Sequence, residues 1–499
     1  VNPSVPMATA THELLIGWRM NSQYHPVSWV DGRRPSPESL ASDCVKINPS
    51  HAAANAAIVA QSGSGKSFLV GRLIEEILVR TKARCTILDP NADFRSVWHL
   101  VAPNKWHKPH YDPVSRTGWL PTERNWTEFS NLWKKVSIQV CSLSTLNRDA
   151  KVRGLHSKGD IAVSWRDVPA EFIAGYLSTQ SDATVAVCHE SFSLVLDLLL
   201  LLQRKGMPPL DEQSSFDFAE TLIAETPIEN VTEALRILIA RASQAPEPSA
   251  HFLHDRADCA LKDPKGIAFL RSKRLVDSLT SRSYFAAAHV LIDSGLFTFS
   301  PMTCTFGSRL CAVDLASVPD PSCRLAFVSS TLSSIWRSAR AEWENAMDKD
   351  EESDSRVPTF IVVDEAHHLI PRGSVGGLRE LVLEQFRQVA TEGRKFGVFL
   401  ILLTQRPDRL DRIVAGECSN LAVMSLVNDR SIDETMELFG LDHSYRRELQ
   451  KVREFPVGRC LLLGGWTPMS PQLMFTAARR TVEGGRNLRP ESWTISPGA

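Results

Sequence analysis

The apolar positions of this chain change period several times, and each change marks an element. From residue 51 the pattern is sharp. Ala56 to Ala60 is a continuous apolar run, as expected of a short buried strand. Lys66 to Lys82 then places Leu69, Val70, Leu73, Ile74, Ile77 and Leu78 on one face at the 3.6-residue period of a helix. Cys85 to Asp89 returns to strand. Strand, turn, helix, strand is a βαβ unit and predicts parallel pairing. The alternation resumes later, with strands at Leu310–Leu315, Phe360–Asp364, Val398–Leu403, Leu421–Val427 and Cys460–Gly464. Helices at 322–347 and 376–392 lie between them, the second turning Leu378, Leu381, Val382, Phe386, Val389 and Ala390 inward. Val398 to Leu403 is apolar without interruption, which predicts a strand buried on both faces.

The intervening stretches read differently. Residues 1–50 hold short apolar pieces (Leu14 to Trp18, Val27 to Val30) and predict a small β-rich element. Residues 91–150 are rich in Trp and Pro, with one strand at Ser137–Cys141. Between 168 and 290 the patterns are mostly helical, so 151–299 is expected to be an all-α insertion in an α/β core made of 51–150 and 300–480. Asp348 to Ser355 is an acidic surface loop, and 481–499 is a tail. No internal repeat is visible.

Composition adds little beyond exclusions. With 499 residues, 43% hydrophobic and 23% charged, the chain is neither disordered nor fibrous. A net charge of −1 gives no global attraction to nucleic acid, so any such contact needs a local patch or one concentrated by assembly. The ten cysteines are scattered singly with no zinc-like spacing, which favours a reducing compartment. The longest apolar stretch, Leu194 to Leu202, is short and carries Asp197. With no basic-then-apolar signal pattern either, the expectation is a cytoplasmic protein without a membrane segment.

The turn after the first strand is AQSGSGKS, Ala60 to Ser67. It fits the phosphate-loop pattern G-x-x-x-x-G-K-[ST] with alanine at the first position. Gly63, Ser64, Gly65, Lys66, Ser67 and Phe68 would surround the phosphates of ATP, because glycines let backbone N–H groups curl around an anion at a helix N-terminus. Lys66 would reach the β- and γ-phosphates, and Ser67 would hold Mg²⁺. A Gly/Ser turn with a solvated lysine is the bland alternative. Phe360 to His368, FIVVDEAHH, ends an apolar run in two carboxylates. At the carboxyl end of a parallel strand these face the ligand crevice. Asp364 is then the second metal residue, and Glu365 polarises the attacking water. The neighbouring histidines, His367 and His368, are expected to point to different sides and not to ligate a metal.

The stretch ATEGRKFGVFLILLTQRP, 390–407, completes the set. An extra strand between the phosphate-loop strand and the acidic strand defines the additional-strand ATPases, and its end faces the γ-phosphate. Gln405, with Thr404 as the alternative, becomes a sensor for water or phosphate. Arg394 suits an arginine finger offered to a neighbour's nucleotide across a head-to-tail interface. Alternatively, Arg394 and Lys395 cap the C-terminus of the preceding helix, where cations are favoured.

On IVAQSGSGKS, ILDPNADF (87–94), CAVDLASVP (311–319), FIVVDEAHHLIP (360–371) and the 390–411 stretch, the chain resembles the HerA/FtsK superfamily of ring ATPases, the HerA branch most closely. The resemblance spans about 51–150 and 300–480 and implies a RecA-like additional-strand P-loop NTPase core, with 151–299 placed like that family's helical lobe. Two departures stand out. HerA proteins carry a β-barrel before the core, whereas fifty residues precede it here, so a reduced barrel is expected. The family's Asp-Pro-His-Gly-Glu stretch is Asp89-Pro90-Asn91-Ala92-Asp93, without the glycine. The resemblance further implies a homo-hexamer threading DNA through a central channel. It would work with a nuclease or other effector, in DNA processing or antiphage defence. PRGSVGGLRE, 371–380, is either a channel loop touching DNA or a flexible surface loop. The competing readings are a nucleotide-gated scaffold that switches an effector, and a conjugation or secretion ATPase.

Overall fold

The computed structural model describes residues 13–21, 24, 43–101, 123–142, 156–160, 163–164, 297–298, 308–318, 321–347, 356–373, 377–467 and 470–484. In chain order the elements are β1 (Leu14–Arg19), β2 (Cys44–Ile47), β3 (Ala56–Val59), α1 (Lys66–Arg80), β4 (Arg84–Asp89), α2 (Glu123–Trp133), β5 (Ile138–Ser142), β6 (His156–Asp160), β7 (Val163–Ser164) and β8 (Phe297–Thr298). There follow β9 (Leu310–Asp314), α3 (Pro321–Met347), β10 (Thr359–Val363), α4 (Gly377–Phe396), β11 (Val398–Thr404), α5 (Arg412–Gly416), β12 (Asn420–Val423), α6 (Asp429–Leu438), β13 (Arg459–Gly464) and β14 (Gln472–Thr476).

Twelve strands form one sheet in the order β2-β1-β14-β13-β12-β3-β11-β10-β4-β9-β5-β6. From β12 to β6 every neighbouring pair is parallel. From β12 back to β2 every pair is antiparallel. The expected extra strand is present: β11 lies between the phosphate-loop strand β3 and the acidic strand β10, in register with both.

The continuous apolar runs follow from coverage of both faces. Alternate residues of one strand enter opposite cores, as a period of two requires. Val59, Leu88, Val313, Val363 and Leu400 pack with Phe327 of α3 and Phe386 of α4. Their chain neighbours Ile58, Ile87, Ala312, Val362 and Ile401 pack on the other side with Leu73 and Ile77 of α1 and with Trp133 of α2. All seven residues of β11 are buried.

Several boundaries differ from the sequence expectation. The described part of 1–50 contributes β1 and β2 to the core's own sheet, so residue 50 divides sequence patterns and not structural units. No reduced barrel is formed by these strands; β1 pairs with β14, whose five residues the apolar pattern did not single out. The expected all-α insertion 151–299 carries strands at its ends, since β6 extends the sheet by pairing with β5 and β7 pairs with β8. The helical patterns inside it, the acidic loop 348–355, the piece Val27 to Val30 and the tail beyond 484 lie outside the described residues. Helix α4 runs to Phe396, four residues beyond the expected end, because the polar stretch Thr391 to Lys395 continues the helix on its exposed side.

Asn55, just before β3, ties three elements. Its amide donates to the carbonyl of Ala390 in α4 at 2.9 Å, and its Oδ1 accepts from the Leu400 N–H of β11 at 2.9 Å. Asn55→Ala leaves both backbone groups without this partner. We expect a loss of about 1–3 kcal/mol in folding stability, seen as a lowered urea midpoint at unchanged slope. A midpoint equal to that of the unchanged protein would show that these bonds do not hold the strands in register.

Candidate nucleotide and metal site

The site is built at the carboxyl ends of β3, β11, β10 and β4, where a parallel sheet opens its crevice. The phosphate loop is held from beneath: Ala60 N–H donates to Thr404 O (3.1 Å), Gln61 N–H to Ser425 O (2.9 Å), and Gly458 N–H to Ser64 O (3.0 Å). Gly63 and Gly65 adopt φ of 77° and 102°, a left-handed backbone that side chains resist. Gly65 is also the N-cap of α1 and offers no side chain to its first N–H groups. Those donors and the helix dipole therefore remain available to an anion.

Lys66, in the first turn of α1, is buried and reaches across β11 to β10. Its Nζ lies 2.5 Å from Glu365 Oε1 and 3.4 Å from Asp364 Oδ1. Gln405, just past β11, donates from Nε2 to the same Glu365 oxygen. Three of the expected site residues thus converge on one atom. Thr404, the alternative sensor, is fully buried; its hydroxyl accepts from Arg406 N–H at 3.0 Å and lies 3.3 Å from His367 Nδ1. Burial pushes the Glu365 carboxyl upward, but the Lys66 charge and the bonds from Lys66 and Gln405 outweigh it and hold the group below the usual range. Asp364 goes the other way. Burial dominates, and the Lys66 charge does not offset it, so its carboxyl is raised.

Glu365 has φ of 42°, a strained value for a residue with a side chain. The chain then makes a 3₁₀ turn, Ala366–His368. That turn overturns the expectation that the two histidines diverge: their ring centroids are 4.2 Å apart, because neighbours no longer alternate as in a strand. Burial and the adjacent His368 lower the His367 imidazole to about 4, so it is neutral near pH 7.

Two residues of the site were not anticipated, and both lie on the loop after β4. Asp93 Oδ2 accepts from the Ser67 hydroxyl at 2.9 Å, and Asn91 Nδ2 donates to Asp364 Oδ2 at 3.2 Å. Their only signal in the sequence is the DPNAD stretch itself. Ala92 stands where the resembling family has glycine, and its φ of 62° keeps the left-handed turn without one.

A divalent cation fits this donor set. Asp364 is fully buried, and its Oδ1 has no hydrogen-bond partner although Lys66 is near. With the Ser67 hydroxyl it supplies hard oxygen donors, the type Mg²⁺ prefers. Among the described residues no group of three or more His, Cys, Asp or Glu forms a cage of its own. A site of one or two protein oxygens completed by phosphates and water is the usual Mg²⁺ arrangement.

Arg394 is exposed in the last turn of α4. The helix end is served from elsewhere: Arg356 Nη1 donates to the Lys395 carbonyl at 2.8 Å, and Lys395 Nζ sits 4.2 Å over the Trp343 ring. Of the 371–380 stretch, Arg372 N–H donates to Arg409 O at 2.7 Å, beside the end of β11, while 374–376 lie outside the described residues.

Two outcomes are expected here. Ala92→Gly relieves the left-handed strain and should stabilise the fold by up to about 1 kcal/mol in denaturant melts. Asp89 is pushed up to about 7, first by burial and then by the charges of Asp364 and Asp93. The folded state thus keeps this proton where the unfolded chain, near 3.8, has lost it. Its contribution is complete below that lower value and is lost as pH rises through about 7. With chelator present, the fall in melting temperature across this window should be shallower in Asp89→Asn.

Comparison with known proteins finds similarity over the phosphate-loop segment. Residues 43–116, which include β2, β3, α1 and β4, match the family described as "Helicase HerA, central domain". The DNA double-strand break repair helicase HerA of Sulfolobus acidocaldarius is 36% identical over 84 residues, 17% of this chain and 16% of that protein. A probable helicase of Methanocaldococcus jannaschii is 28% identical over 115 residues, 23% of this chain and 21% of its own. The matches therefore span about a fifth or less of these relatives' length. VirB4 of Thermoanaerobacter pseudethanolicus superposes over 93% of this chain and 96% of its own, at 14% identity and a TM-score of 0.46. Over its phosphate-loop segment, then, this chain is similar to the central domain of HerA helicases.

Proposed function

We propose that this chain is an ATP hydrolase of the HerA type that couples hydrolysis to movement of DNA through a homo-hexameric ring. The observation that supports the reading best is the meeting of Lys66, Glu365 and Gln405, brought together from the start of α1 and from just past β10 and β11. Positioning and charge, more than covalent chemistry, are what phosphoryl transfer demands.

The roles follow from the geometry. ATP enters with its phosphates against the N–H groups of 63–68. Lys66 exchanges its bond to Glu365 for the β- and γ-phosphate oxygens. That exchange releases Glu365 Oε1, which, together with its strained backbone, can turn to polarise a water in line with the γ-phosphate. Gln405, already bonded to the same carboxylate, stays within reach of that water or of the γ-phosphate. Ser67 and Asp364 would hold Mg²⁺, which when bound neutralises charge on the transferring phosphate. The catalytic set is thus Lys66, Glu365 and Gln405, with Arg394 added from the adjacent subunit. Its exposure at the surface end of α4 suits a guanidinium used across an interface. A ring also concentrates exposed arginines around a channel, which lets a chain of net charge −1 hold DNA phosphates. A nuclease or other effector acting with the ring, in DNA processing or antiphage defence, is part of the proposal, as is a cytoplasmic setting. No described helix is long and apolar enough to cross a membrane.

Lys66→Ala should lower ATPase activity at least about 100-fold. Duplex DNA should stimulate the unchanged protein, and a rate indifferent to DNA would overturn translocation as the output. Mixing Lys66→Ala with Arg394→Ala subunits is the sharper measurement. Interfaces that pair an intact Lys66 with an intact Arg394 should restore part of the activity, whereas an arginine acting within its own subunit restores none.

A further inference from the structure

The loop Asp89–Phe94 has no part in the catalytic roles above, yet it touches both residues assigned to the cation. Asp89 shapes it by accepting the N–H of Asn91 at 3.2 Å and of Phe94 at 2.7 Å. Asn91 then donates to Asp364, and Asp93 accepts from Ser67. We infer that Asp93 is a positioning residue: by accepting the Ser67 hydroxyl proton it turns the lone pairs of that oxygen toward the cation. The inference rests on the reading of Ser67 and Asp364 as the residues that face Mg²⁺.

The argument is one of proton inventory. A serine hydroxyl has one proton and two lone pairs. If the proton is directed elsewhere, both lone pairs are free for a cation. A serine in a helix can instead turn its proton onto a backbone carbonyl of the preceding turn. Asp93 Oδ2, 2.9 Å away on a separate loop, takes that proton instead.

The backbone on both sides of this bond is pinned by the segment that follows β14. Arg479, almost fully buried, donates from Nη1 to the Ser67 carbonyl at 3.1 Å, and Gly484 N–H donates to the Asp93 carbonyl at 2.7 Å. The approach is close enough to require glycine. A Cβ on Gly71 would fall 2.3 Å from Arg479 Nε, and one on Gly484 would fall 2.4 Å from the Ala92 carbonyl oxygen. Ser67 and Asp93, 26 residues apart in sequence, are thus held to one distance by a common strap. Partners one step behind a metal's ligands typically change its affinity about 10–100-fold when removed.

The test measures Mg²⁺-dependent binding of a fluorescent non-hydrolysable ATP analogue to the full chain, without turnover. Asp93→Asn keeps an acceptor oxygen and removes the charge; Asp93→Ala removes both. Asp93→Ala is expected to raise the half-saturating Mg²⁺ concentration about 10-fold, and Asp93→Asn to change it less than about 3-fold. On a Ser67→Ala background Asp93→Ala should add nothing, since its effect passes through that hydroxyl. Analogue binding in chelator should be equal in the unchanged protein and in both Asp93 variants. Asn as damaging as Ala would mean direct ligation through charge, and additive losses in the double variant would mean a separate role; either overturns the inference. So would weakened binding in chelator for Asp93→Ala alone, which marks a collapsed loop. An unchanged protein that binds no analogue defeats the phosphate-site reading first, and is told apart because no variant is needed to see it.

Discussion

The ion pair between Lys66 and Glu365 depends on a single topological fact, the insertion of β11 between β3 and β10. A lysine taken out of water is costly unless it is paired and hydrogen-bonded. Here the partner comes from two strands away, so the side chain must span the end of β11, and Gln405 at that end closes the gap. Around this one cation stand Glu365, Asp364 and, on the next loop, Asp89 and Asp93. Burial, with the neighbouring carboxylates adding to it, raises Asp364 and Asp89, and a buried oxygen of Asp364 is left without a hydrogen bond. Such an imbalance is unfavourable in isolation and favourable beside a divalent cation, so the same arrangement that strains the protein defines what it can hold.

A second set of charges fixes the helix that carries the phosphate loop. Arg72 and Glu76 of α1 are buried and paired at 2.6 Å, and Glu76 also accepts the Leu15 N–H of β1 at 3.2 Å. Glu75 accepts the N–H groups of Arg480 and Thr481 at 2.9 and 2.7 Å. The helix therefore docks on the antiparallel edge of the sheet through directional bonds, while its apolar face packs on the parallel strands. Directional contacts fix rotation about the helix axis more tightly than apolar packing does, and rotation is what aims Lys66 and Ser67. The strand β1 and the segment that follows β14, remote from any motif, thereby take part in setting the geometry of the site.

The bond between Ser67 and Asp93 extends this logic. The DPNAD loop joins the phosphate-loop side of the crevice to the acidic-strand side, through Asp93 on one hand and Asn91 on the other. Loss of the family's glycine at Ala92 did not remove the left-handed turn the loop needs; the turn persists with the strain of a side chain.

The parallel core was legible in the sequence because both faces of its strands are covered, so each strand is an apolar run whatever its neighbours. Residues 56–60, 85–89, 360–364 and 398–403 carried that mark, and the phosphate loop and acidic pair were placed by their position at the ends of such runs. The strand β14 and the ends of the 151–299 stretch were not, since such strands owe their conformation to partners elsewhere in the chain, for β14 the strands β1 and β13. The same holds within the site. Sequence alone singled out the glycine-rich loop, Lys66 and the carboxylate pair that the structure brings together, because backbone conformation and side-chain type there follow from local spacing. Only the tertiary structure decided that Asp93 meets Ser67, that Asn91 meets Asp364, and that Arg479 braces the loop. Those contacts depend on strand order and on one segment crossing another, and no local pattern encodes a distance between residues that meet only after the sheet has formed.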